Sequence, residues 1–144
     1  MPFFLPKTIL LLTVMPVLPV SYHASLHSNS YVPLLYKELL DCIGYIRTHV
    51  NTPVSVADVA HVIHRSESYT MKLFHDELGI TISHFVNRCK LEEAKSLLSH
   101  TEMTLSEISN YLCFSSQSYF QNLFKKKYGV TPNAYRKKFL HVLP

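Results

Sequence analysis

The sequence predicts an all-α fold in which a short helix, a turn and a longer helix occur twice around a long linking helix, about seven helices in all. Three observations carry that prediction. Among 144 residues there are only three glycines and no tryptophan, and 47% are hydrophobic, a balance that suits a compact helical protein. From Pro33 onward the apolar residues recur at three- and four-residue spacing. One block is also used twice: Tyr69, Leu73, Phe74, Gly79, Ile80, Thr81 and Phe85 return fifty residues later as Tyr119, Leu123, Phe124, Gly129, Val130, Thr131 and Tyr135. The short helices before them match at forty-nine, Val56, Asp58, Val59 and Ile63 against Leu105, Glu107, Ile108 and Leu112, so the second turn is one residue longer. This is the helix-turn-helix plan, and two copies are too few to stack as a solenoid.

Residues 1–32 form an apolar segment and linker ahead of the repeat. Ile9 to Met15, behind a lone Lys7, resembles a secretory leader, but Pro16 and Pro19 break the run. Its reach of about 12 residues falls short of the ~20 that cross a bilayer, and no small-x-small cleavage site follows. The preferred readings are a vestigial or truncated piece of a preceding domain or an apolar arm packed on the helices, with a polar linker over Ser21–Ser30 and no membrane partner.

The first unit, 33–80, opens with a stripe of Leu35, Leu39, Ile43 and Ile46 that stops at Asn51-Thr52-Pro53. Ser55 and Asp58 make a capping box for a short helix burying Val56, Val59, Ala60 and Ile63. His64-Arg65 is the turn, and Ser66 caps a helix burying Tyr69, Thr70, Leu73, Phe74 and Leu78 until Gly79 ends it as a left-handed cap. The linking segment, 81–100, is helical from Ile82 to about Leu98, with Phe85, Val86, Cys89, Leu91, Ala94 and Leu97 inward. In the second unit, 101–144, Thr104 and Glu107 box a helix carrying Leu105, Ile108 and Leu112, and Cys113-Phe114 turns into a helix ended by Gly129. Thr131-Pro132 then caps and starts a last helix through Tyr135 and Phe139.

Ser115 to Gly129 is the segment built for contact. Tyr119, Phe120, Leu123, Phe124 and Tyr128 form its buried stripe, while Gln117, Ser118, Gln121, Asn122 and Lys125 share the other face. An amide gives and takes a hydrogen bond at once, as the major-groove edge of adenine requires, and Lys125, Lys126 and Lys127 can neutralise phosphates beside it. Charge placement agrees. The chain is +4, yet residues 115–144 hold these lysines with Arg136, Lys137 and Lys138 and no acid, a local +6. Residues 51–80 carry Arg65 and Lys72 against Asp58, Glu67, Asp76 and Glu77, a local −2. For this helix taken alone two readings stay open, a face that meets double-stranded DNA and a solvated surface face that happens to be amide-rich, and the charge placement leans toward an anionic partner.

Other chemistries find little support. Cys42, Cys89 and Cys113 are odd in number, far apart and in no metal-ligand spacing, so they read as reduced packing residues. His61 and His64 could share a helical face, but no third ligand accompanies them, and no metal or cofactor is expected. No acid pair, nucleophile with its base, or phosphate-cradling glycine loop is present, so the chain is not read as an enzyme. The competing readings are a DNA-repair enzyme targeted by this domain, a membrane-tethered or exported protein, and a remnant that folds without regulating.

Residues from about Leu34 to Phe139 resemble the C-terminal double helix-turn-helix DNA-binding domain of the AraC/XylS family of bacterial transcription regulators. The segment Phe114 to Arg136 is similar to the family signature nearly residue for residue, and Arg88 with Leu91 to Leu98 resembles its linking helix. The resemblance implies a cytoplasmic, nucleoid-associated transcription regulator whose two recognition helices enter successive major-groove segments on one face of the duplex. A linking helix of about 17 residues is about 26 Å long, which with the width of packed helices approaches the ~34 Å of one DNA turn. Carried over by position, base reading falls to Ser68, Met71 and Lys72 in the first unit and to Gln117, Ser118, Gln121 and Asn122 in the second. Phosphate contacts fall to Ser66, Ser116, Lys125, Lys126, Lys127 and Arg136. Met71 suits a thymine methyl, with a partly buried core position as the alternative, and Lys72 suits guanine or a phosphate. Activation would need a surface for RNA polymerase, which residue types do not locate. Operator, effector and oligomeric state are equally open, although monomeric reading fits two units in one chain.

The chain also departs from the pattern. His64 and Cys113 stand where the family carries a turn glycine, at a cost of about 1 kcal/mol each if the backbone there has positive φ. Arg65 occupies a normally apolar position.

Overall fold

The computed structural model describes residues 34–140, with the side chain of Leu140 left out. The expectations for residues 1–32 and for the last four residues lie outside this range. The described residues form seven helices: α1 Leu34–Thr48, α2 Val56–Val62, α3 Glu67–Leu78, α4 Ile82–His100, α5 Leu105–Tyr111, α6 Gln117–Tyr128 and α7 Pro132–Leu140.

Each boundary has a local cause. Ser55 and Thr104 are N-caps of full capping boxes, in which Asp58 and Glu107 reach back to the cap backbone N–H at 2.8 and 2.7 Å. Ser66, Thr81 and Ser116 accept from the backbone N–H three residues on, at 3.2, 3.1 and 3.0 Å. Gly79 and Gly129 end α3 and α6 at φ 67° and 75°, where a side chain would be strained. His64 and Cys113 take φ 54° and 52°, so the two turns do require the left-handed backbone that their missing glycines would supply freely. The second turn is longer by one residue, as the two repeat spacings require: Ile63 to the cap Ser66 against Leu112 to the cap Ser116.

The apolar stripes meet in two cores. The first gathers Leu39, Cys42, Ile43 and Ile46 of α1, Val59 of α2, Leu73 and Phe74 of α3, and Ile82, Phe85 and Val86 from the start of α4. The second gathers Leu91, Ala94 and Leu98 from the rest of α4 with Leu105 and Ile108 of α5, Phe114, and Phe120 and Phe124 of α6. Helix α4 is thus a shared wall, half of it in each core. The stripe expected on α1 is rotated at its start: Leu35 is 40% exposed, and Tyr36 is buried instead. Tyr119 is also a correction. It is 42% exposed, because Phe120 and Phe124 already fill the inward face of α6.

Polar positions inside the two cores correspond. Glu38, Leu39, Cys42 and Ile46 on α1 are spaced as Lys90, Leu91, Ala94 and Leu98 are on α4, and Glu38 and Lys90 are both buried, at 7% and 6% exposure. Ser109 stands where the first unit has Ala60, and its buried hydroxyl has no hydrogen-bond partner among the described residues.

Candidate nucleic-acid interface

Helices α3 and α6 are each the second helix of their unit. On α3, Ser68, Met71 and Lys72 are exposed, Met71 at 47%, so it is not a core residue. On α6, Gln117, Ser118 and Asn122 are exposed, while Gln121 is half-buried. Tyr119 joins that face, its hydroxyl accepting from the Asn87 side-chain amide of α4 at 3.3 Å. The Ser66 and Ser116 hydroxyls, already accepting from their helices, keep an O–H to donate at the positive end of the helix dipole.

The cations divide sharply. Lys125 and Lys126 are exposed and make no ion pair among the described residues. Lys72 is held by Asp76 one turn on, at 2.5 Å, and that pair raises the pKa of the lysine and lowers that of the acid. Two residues expected at phosphates have partners within the chain instead. Lys127 Nζ lies 2.7 Å from Glu92 of α4, in front of the Tyr128 ring, and fastens α6 to the linking helix. The Arg136 guanidinium donates to the Leu98 carbonyl at 3.4 Å and to the Met103 carbonyl, closing the end of α4 and the loop after it. Carbonyls that would otherwise be left open claim this guanidinium, so its first role is structural.

Behind α3 lies a polar cluster that residue types did not reveal. Arg65 Nε and Nη2 reach Glu38 Oε1 at 2.9 and 2.8 Å, and the Tyr69 hydroxyl donates to Oε2 at 2.7 Å. Burial works to raise the Glu38 pKa, but the hydrogen bonds from Tyr69 and Arg65 and the guanidinium charge outweigh it and hold the carboxyl below its ordinary range. The Arg65 guanidinium also lies 5.1 Å from the Tyr69 ring centre. Behind α6, Phe114 stacks on Phe120 with centroids 5.1 Å apart, and Lys90 sits 5.5 Å from the Phe114 ring while donating to the Cys113 carbonyl at 3.0 Å. The one signal in the sequence for Glu38 and Lys90 is their matching place beside a buried leucine.

Among the described residues, no group of three or more histidine, cysteine or acidic side chains could hold a metal; His61 and His64 lie edge to face, 5.9 Å apart. All three cysteines are free. Burial pushes the Cys42 thiol up to about 12, with the Asp41 and Glu38 charges adding to it, and burial raises Cys89 too, the reverse of an activated nucleophile. No described helix is long and apolar enough to cross a membrane.

Fold and surface together define a paired helix-turn-helix module whose second unit carries a polar, basic face. Residues 59–138 match the helix-turn-helix domain family. Over 109 residues the chain is 36% identical to the xylose operon regulatory protein of Escherichia coli strain K12, an alignment covering 76% of this chain and 28% of that protein. The C-terminal domain of AraT, a response regulator from Geobacillus stearothermophilus, superposes with a TM-score of 0.64 at 30% identity, covering 76% of this chain and 88% of that one. An AraC-type DNA-binding domain structure from Chromobacterium violaceum shares the fold with a TM-score of 0.69 at 22% identity, covering 74% and 96%. The chain belongs to the AraC-type helix-turn-helix family of transcription regulators. It spans well under half of the length of the curated relatives it matches, 28% of the xylose regulator.

Proposed function

We propose that this chain is a sequence-specific, double-stranded-DNA-binding transcription regulator without a catalytic step, reading two successive major-groove segments with α3 and α6. The observation that carries the reading is the surface of α6: Gln117, Ser118 and Asn122 stand exposed beside the unpaired Lys125 and Lys126, with the N-cap Ser116 at the helix start. Amides at base edges, lysines at phosphates and a helix N-terminus toward the backbone make one consistent docking geometry. The 19 residues of α4 give about 28 Å of separation, near one DNA turn once the width of packed helices is added. On this reading α6 supplies most of the affinity and α3 docks weakly, one chain is sufficient for both segments, and the site of action is the cytoplasmic nucleoid. RNA polymerase is a partner only if the protein activates.

Selection of bound sequences from random duplex DNA, at two salt concentrations, tests this. Two base clusters about one helical turn apart are expected, the A-containing one lost on Gln121→Ala/Asn122→Ala, with affinity falling as salt rises. Binding that shows no sequence preference at either salt would defeat the reading.

A further inference from the structure

The connection between α1 and α2 reaches the second unit, and base reading makes no use of that contact. Val50 packs against the second core, and the Cys113 thiol donates to the Asn51 carbonyl at 3.5 Å, across 62 residues of chain. The connection is tied down by local contacts. Tyr45 and His49 stack at 4.1 Å, His49 Nδ1 lies 2.8 Å from the Tyr45 carbonyl, and Thr52 donates to the His49 carbonyl through both its N–H and its hydroxyl at 3.0 Å. On the receiving side, Cys113 is held at φ 52° while its carbonyl accepts from the buried Lys90.

We propose that this contact is a second strut between the two units, and that it sets the rotation of α3 relative to α6 and hence the base-pair spacing the protein accepts. A lone helix joining two bodies lets them bend and twist about it, and a contact away from its axis removes that freedom. Val50, Asn51 and Cys113 are then positioning residues that touch no DNA. The inference rests on the two-headed reading, and its test separates the two.

The test measures the affinity of the full chain for duplexes carrying both base clusters, with one or two base pairs inserted or removed between them. Each inserted pair shifts a half-site by about 3.4 Å and about 34°. Wild type is expected to lose about tenfold per pair, and Val50→Ala/Cys113→Gly about threefold or less. Glycine relieves the positive φ at 113, so Cys113→Gly removes the thiol contact without weakening the turn. His64→Gly gives the same relief in the first unit, leaves the strut intact, and should keep wild-type strictness. A Val50→Ala/Cys113→Gly protein as strict as wild type overturns the strut while the two-headed reading stands; a wild type indifferent to spacing overturns both.

Discussion

Arg65 and Phe114 hold the same place in the two units, and around them the units diverge. Phe114 closes the second core at the head of a run of touching aromatics, stacked on Phe120, which meets Phe124 edge to face, with Tyr128 tilted against Phe124. Arg65 cannot enter the first core, so it lies over Tyr69 and is neutralised by Glu38, where the second unit has Lys90. The divergence continues on the surface. His75, Asp76 and Glu77 end α3 where Lys125, Lys126 and Lys127 end α6, and Glu67 opens α3 where Gln117 opens α6. One backbone plan therefore carries a cationic unit with an aromatic ring beside its turn and an acidic one with an ion pair there. Helix geometry constrains caps and inward stripes, whereas the partner of each outward or half-buried residue is free to vary.

The largest expected effect is on stability. Phe114→Ala should cost about 3 kcal/mol through cavity and lost stacking, against about 1–2 kcal/mol for the half-exposed Arg65→Ala. Equal losses in denaturant unfolding would mean that the two places are filled to the same effect. Next comes DNA affinity. Lys125→Ala/Lys126→Ala should weaken binding about tenfold or more and flatten the salt dependence by a slope of about 2, while Lys72→Ala costs about threefold or less. A larger loss from Lys72→Ala would reverse the assignment of the stronger reader.

Acid sharpens the comparison further. Because Glu38 titrates below its ordinary 4.5 in the folded protein, its contribution is complete above that value and disappears as pH falls through the lower, folded value. Wild type should thus lose more stability between about pH 6 and pH 3.5 than Glu38→Gln does. Melting curves of equal acid slope would remove Glu38 from the account. The smallest effect is expected from Asp76→Asn, which frees Lys72: binding should tighten about two- to threefold, and the gain should vanish in a Lys72→Ala background. Persistence of the gain in that background would show that Asp76 acts on DNA directly and not through Lys72.

The sequence by itself determined the elements and their order. Caps such as Ser55 with Asp58, and glycines such as Gly79 and Gly129, act within a few residues, and the doubled spacing exposed the paired plan before any contact was known. It also marked the amide face of α6, which follows from helical periodicity, whereas positive φ at His64 and Cys113 entered only as a condition attached to the family's turn glycines, and the structure decided it. Tertiary structure alone decided which charges are available. Lys127 and Arg136 look like Lys125 and Lys126 in a string of residues, but Glu92, 35 residues away, and the Leu98 and Met103 carbonyls claim them. Tyr119 lost its expected burial, and Glu38, Asn87 and Val50 gained roles, for the same reason. A long side chain takes its partner from whatever the packing of distant helices brings within about 3 Å, and no local rule encodes that distance.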